Sequence, residues 1–246
     1  MGAEQRGYKE AGGEIVVQSR FVKWLDNYWY HYKWHTIVVA FFLFVGIVCF
    51  WQCSSSVSGD LTFTFCGNYT LTQEERVKIN DVFEAIAPMK EDGNRLTVAL
   101  NDFSVYTEEE LKALYTDEDG KFSPVAYNNA KSVNTNHLST FGTYVMTGES
   151  ALWLVSEFVF EERSLDKVAV PLSELFETLP GSAFNDYAIR LGDTELYQYY
   201  DSLKVLPADT LIVLPRSYVW GESSNNDSYT DFRAMYYAIV NFKKPA

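Results

Sequence analysis

Three histidines, three cysteines and a few clustered acids are the residues of this 246-residue chain equipped for chemistry. His31 and His35 stand four apart, the spacing that puts two imidazoles on one helical face and could grip a metal or haem. No third ligand accompanies them, so the pair reads as polar handles at a boundary between water and lipid. His137 is the remaining histidine, and any imidazole-assisted catalysis further along must use it. No G-x-S-x-G elbow is present and Cys66 lies in no nucleophile signature, which speaks against a nucleophilic hydrolase. Asp117-Glu118-Asp119-Gly120 has the opening of a calcium loop. Position twelve, counted from Asp117, is Asn128 instead of the bidentate Glu the loop needs, so a solvated turn is expected. There is no Gly-rich phosphate loop. The sequence therefore assigns no catalytic residue, no metal ligand and no cofactor.

Three side chains remain as candidate ligand contacts: Glu149, Arg190 and Asp193. Arg190 sits between Ile189 and Leu191, where it would bind an anion or pair with an acidic neighbour. Asp193 follows Gly192, a residue able to supply a positive φ, and with Glu195 would furnish the carboxylates of a small hydrolase. Glu149 follows Gly148 and precedes the apolar run Ala151–Val155. Asn68-Tyr69-Thr70 and Asn226-Asp227-Ser228 are formal glycosylation sequons.

These groups are held by two very different parts. Between Thr36 and Gly59 the chain carries no charge, and Ile37 to Trp51 is almost wholly apolar. Nineteen residues, Trp34 to Gln52, make roughly 28 Å of helix, close to a hydrocarbon core of about 30 Å. Trp24, Trp29, Lys33, Trp34 and Trp51 are the expected interface residues, rings and a cation at headgroup level. Arg20, Lys23 and Lys33 precede the span, whereas Arg76 is the first basic residue after it. The positive-inside rule then places the N-terminus in the cytoplasm and the C-terminal part outside the cell. No small-x-small cleavage site follows the apolar run, so an uncleaved signal anchor is expected. The organisation expected is a cytoplasmic tail (1–20), an aromatic juxtamembrane segment (21–35), a transmembrane helix (36–52), a stalk (53–59) and an extracellular domain (60–246).

The charge is divided unevenly. Residues 60–246 hold fifteen basic and twenty-nine acidic groups, a net −14, within a chain total of −13. Such a domain repels phosphate backbones, so nucleic acid is excluded as a partner. Its strands and helices alternate: Leu61–Phe65 and Leu96–Leu100 as strands, helices opening at the capping boxes Thr72/Glu75 and Thr107/Glu110, a helix over Asn128–Phe141, strands at 151–155, 189–191 and 211–214, and a closing helix over Asp231–Phe242. In the first helix Val77, Val82, Phe83, Ile86 and Ala87 are expected to form the apolar face. Alternation of this kind implies a single α/β domain with a mixed or mostly parallel sheet. Cys66 in the first strand is open to pairing with Cys53 or to remaining a thiol.

The stretch WLDNYWYHYKWHTIVVAFFLFVGIVCFWQC (24–53), with IRLGDTELYQYY (189–200) and LPADTLIVLPR (206–216), resembles uncharacterised single-pass membrane proteins of Clostridia-type Firmicutes. That resemblance implies one span and an extracellular α/β domain, and brings no activity. Residues 134–177 resemble a segment of extracellular solute-binding proteins, with Gly148, Glu149, Ala151–Val155 and Pro171-Leu172 in the corresponding places. Those proteins close two lobes over a ligand, and the 187 residues here suffice for little more than one lobe. The function expected is a membrane-anchored cell-surface binding or interaction module, not an enzyme, with a solute-binding-like lobe. Its partners would be the bilayer and a protein or small molecule outside the cell. The alternatives are a small extracellular hydrolase and an accessory subunit of a membrane complex.

Overall fold

A computed structural model describes residues 20–54, 59–90, 93–216 and 226–245. Residues 1–19, most of the expected tail, and 55–58 of the expected stalk lie outside it. The chain divides into two compact units, Met1–Ser56 and Val57–Ala246.

The first unit is one helix, α1 (Arg20–Ser54), of 35 residues. Within it Tyr28–Cys49, 22 residues, is long and apolar enough to cross a membrane, and none of that window is buried against protein. A helix that is hydrophobic all round has no use for a single core-facing stripe. The apolar window opens eight residues before the expected boundary at 36, taking in His31, Lys33 and His35 because the apolar run from Ile37 outweighs them.

The second unit is a sheet covered on both faces. In chain order it contains β1 (Leu61–Gly67), α2 (Gln73–Ile86), β2 (Val98–Ser104), α3 (Glu108–Leu114), α4 (Pro124–Thr147), β3 (Leu152–Val155), α5 (Glu157–Glu162), α6 (Leu172–Leu175), β4 (Ala188–Arg190), α7 (Glu195–Tyr199), β5 (Leu211–Val213) and α8 (Asn226–Val240). The five strands lie in the order β2-β1-β3-β5-β4. β1 runs parallel to both β2 and β3, while β5 is antiparallel to β3 and β4. The fold class is α/β with a mixed sheet, as the alternation of elements implied.

Side chains of successive strand residues point to opposite faces, and two cores result. Leu61, Phe63, Phe65, Leu152, Leu154, Ile189 and Ile212 join Ile79, Val82 and Phe83 of α2 and Met235, Tyr236 and Ile239 of α8. Cys66, Trp153, Val155, Ala188, Leu211 and Val213 join Phe141 of α4 and Val159 and Phe160 of α5. Thr64, fully buried in the central strand, is matched by Ser150, their hydroxyls 2.5 Å apart. A buried hydroxyl without such a partner would cost about 1–3 kcal/mol.

The structure differs from the sequence reading at four places. Val77 is 48% exposed, and the buried face of α2 is Ile79, Val82 and Phe83. Val77 lies about 200° around the helix from Ile79, off a stripe spaced by three and four. The second strand is shifted to Val98–Ser104, because Leu96 and Thr97 belong to the turn that meets Pro88 and Asp60. The closing helix, expected over Asp231–Phe242, spans Asn226–Val240. α4 extends well beyond Asn128–Phe141, opening on Pro124 and closing on Gly148, whose φ of 70° is the left-handed cap that glycine favours. Cys66 is free and buried.

Candidate functional site

The carboxyl ends of β1 and β2 face the same rim of the sheet, and in open α/β sheets ligands collect at that rim. Four connections leave it: Asn68–Thr72 after β1, Val105–Thr107 after β2, Ser156 after β3 and Leu191–Thr194 after β4. Between β1 and β3 the rim is closed, because the Ser156 amide donates to the Cys66 carbonyl at 3.0 Å. On the β2 side it opens into a cleft of about 440 Å³. One wall is Leu111, Leu114 and Tyr115 of α3 and its cap. The other is Ala126, Asn129, Ala130, Val133 and Asn134 of α4, and Thr70, Ser104 and Tyr106 form the base. A second hollow of about 400 Å³, lined by Asn68, Tyr106, Glu110, Ala113 and Leu114, adjoins it through Tyr106 and Leu114.

Tyr106 is the pivot, and its backbone is fixed from α4. The Tyr106 amide donates to Asn134 Oδ1 at 2.8 Å, and Asn134 Nδ2 donates back to the Tyr106 carbonyl at 3.0 Å. The Tyr106 and Thr70 hydroxyls meet at 3.4 Å. α3 is positioned by the Thr107/Glu110 capping box, which satisfies amides the helix cannot. Burial alone would raise the Glu110 carboxyl. The Asn68 amide at 2.7 Å and the Thr107 amide and hydroxyl outweigh it, so Glu110 is held below its ordinary value as a fixed anion. No charged side chain lines the larger cleft, whose polar groups are hydroxyls and amides.

The charged groups nearby are engaged elsewhere. Glu108 takes hydrogen bonds from Tyr127 and Lys131, which lower its carboxyl. Arg76 reaches Asp102 at 2.8 Å. His137 Nδ1 lies 2.9 Å from the Ser104 carbonyl. A carbonyl only accepts, so Nδ1 carries the proton and Nε2 is the acceptor in the neutral ring.

The three candidate ligand contacts do not converge. Glu149 is exposed in the turn before β3, at the amino end of that strand and thus across the sheet from the cleft. Arg190 ends β4 at the carboxyl rim, where its guanidinium lies 5.1 Å from the centre of the Phe184 ring instead of against a carboxylate. Asp193 is exposed in the turn that follows. Glu195 is tied to the Lys243 ammonium and the Lys244 amide, with its carboxyl lowered chiefly by Lys243. Gly192 takes no positive φ: its missing Cβ makes room for the Ala208 carbonyl. Of the interface residues, Trp24, Trp29, Lys33 and Trp34 are exposed along α1, with Trp24, Tyr28 and Tyr32 stacked at centroid distances of 5.7 and 5.4 Å. The Trp51 side chain lies outside the described residues. His31 and His35 are exposed, and among the described residues no group of three His, Cys, Asp or Glu could hold a metal ion.

Sequence reasoning missed Tyr106, Asn129 and Asn134. One signal pointed there: Tyr106 directly precedes a capping box that follows a strand, the place where an α/β rim is built. Comparison with protein-family models, curated proteins and solved structures finds no match to this chain.

Proposed function

We propose that the protein is a membrane-anchored binding module that holds a small, uncharged, polar ligand between α3 and α4. The observation that carries this reading is the cleft of about 440 Å³ at the carboxyl rim, with hydroxyl, amide and aromatic groups and no charge in its lining. Its size falls in the range of small-molecule sites, and its few convergent polar groups are of the kind that orient a ligand. A neutral lining suits a sugar or an amide over an anion, since an ion brought here would be desolvated without a partner.

Anchoring rests on the Tyr28–Cys49 span, and orientation on the basic residues. Arg20 and Lys23 stand before the span and no basic residue follows it until Arg76, so α1 leaves the N-terminus in the cytoplasm and displays residues 60–246 outside the cell. The solute-binding likeness of residues 134–177 meets this cleft only at Asn134, so the cleft, not the likeness, carries the reading.

The test is thermal unfolding of the detergent-solubilised full chain against neutral sugars, amides, amino acids and charged counterparts. A ligand at 100 times its Kd stabilises by about 2.7 kcal/mol. A neutral compound should raise the midpoint, and Asn129→Ala should abolish the shift while leaving the unliganded midpoint in place. A shift produced only by charged compounds, or one that survives Asn129→Ala, rules out this cleft. Orientation is checked by protease added to intact cells, which should remove the 60–246 segment.

A further inference from the structure

The hollow beside the cleft carries what the cleft lacks, a fixed negative charge. Glu110 lines it together with Asn68, Tyr106, Ala113 and Leu114. An ionised carboxylate has about four acceptor sites and no donor. Three are taken by neutral donors: Asn68 Nδ2 on Oε1, and the Thr107 amide and hydroxyl on Oε2, at 2.7 to 3.0 Å. One site on Oε1 is left, and none of the ion pairs among the described residues includes Glu110. Asn68 gives an amide N–H to Glu110, which leaves its Oδ1 as a further acceptor in the same hollow. Tyr106 and Leu114 border both hollows, so a ligand seated in the cleft can extend past them toward Glu110.

Resting on the binding reading above, we infer that the ligand is a neutral carbohydrate of two rings, one in the cleft and one in this hollow, where its hydroxyls donate to Glu110. The acceptors select the class. A carboxylate beside an amide oxygen calls for a ligand that donates, and neighbouring hydroxyls on a sugar ring supply donors in pairs. Hydrogen bonds to an ionised group are about twice as strong as neutral ones, so Glu110 weighs heavily in the choice. An anion is repelled here, by Glu110 and by the net −14 of residues 60–246. An ammonium gains little from a carboxylate that is open in part to water. A small amide fits the cleft but does not span both hollows. Each hollow, at about 440 and 400 Å³, lies near the small end of ligand sites, in keeping with one ring apiece.

The experiment is calorimetric titration of the full chain in a sugar-free detergent, so that no headgroup competes. The probes are maltose, cellobiose, lactose and diacetylchitobiose, the fully O-methylated form of each, and the deacetylated, cationic form of the last. At least one neutral disaccharide should bind. Its O-methylated form keeps the acceptors and loses the hydroxyl donors, and should bind at least about tenfold more weakly, the loss expected for one hydrogen bond to a charged group. Glu110→Gln retains a residue that serves the third position of a capping box, and should weaken the same sugar about tenfold, with a cooperative melt as the check on folding. The O-methylated arm uses the unaltered chain and decides the matter even if that variant fails to fold. An O-methylated sugar as tight as its parent, affinity unchanged by Glu110→Gln, tighter binding of the cationic dimer, or no binding by any neutral disaccharide would each overturn the inference. A neutral amide whose thermal shift depends on Asn129, with no disaccharide bound, would preserve the binding reading and remove this one.

Discussion

Asp60 shows how one side chain ties the start of the domain. Its carboxylate accepts from the Lys90 ammonium at 2.7 Å and from the Thr97 amide and hydroxyl at 2.8 and 2.7 Å. The Lys90 hydrogen bond leads these in lowering its carboxyl from 3.8 to about 2. A lowered acid stabilises the fold fully above its unfolded value, near 4, and loses that contribution as pH falls through about 2. Asp60 is partly open to solvent, which screens the pair, so Asp60→Asn should cost about 1 kcal/mol at pH 7. Denaturant midpoints should show the gap between variant and parent closing toward pH 2. Cys66 is the opposite case: burial pushes its thiol up to about 12. It should resist alkylation at neutral pH and react at the rate of unfolding, which a denaturant series of labelling rates would reveal. The sequence placed Cys66 in the first strand. Its burial in the second core was not legible, because register decides which face a strand residue takes.

At the scale of elements, capping chemistry was legible. Thr72/Glu75 and Thr107/Glu110 open α2 and α3 where the spacing said they would. Thr107→Ala should cost about 1 kcal/mol by denaturation. It should also weaken ligand capture, since α3 forms one cleft wall. The ends of α4 carried signals, Pro124 and Gly148, but its Asn and Thr content obscured them. Those residues compete with helix for backbone hydrogen bonds, and here their hydroxyls bond within the helix while Tyr127 and Phe141 anchor it. The cleft was illegible for a related reason: Tyr106 and Asn134 are 28 residues apart, and only packing joins them. For α1, Phe42→Arg should disfavour insertion by about 2.5–3.5 kcal/mol, read as a loss of the membrane-integrated fraction.

At the scale of the molecule, two cores share one sheet, so they should fail together. Phe63→Ala in one and Phe141→Ala in the other should each cost about 3–5 kcal/mol, since both rings are fully buried. Melting followed by fluorescence and by far-ultraviolet dichroism should give one coincident transition for each variant. Alternating elements made the α/β class legible, whereas the antiparallel β5 between β3 and β4 was not, because short strands carry no mark of their neighbours. The chain passes from Gly59 and Asp60 straight into β1, which is flanked by a seven-residue ladder to β2 and a four-residue ladder to β3. A pull along the strand, transmitted through Asp60, would therefore meet both ladders in shear, with their hydrogen bonds loaded together instead of unzipped singly as at a sheet edge. The first strand of the second unit is thereby its most extensively paired one, held over seven residues on one side and four on the other.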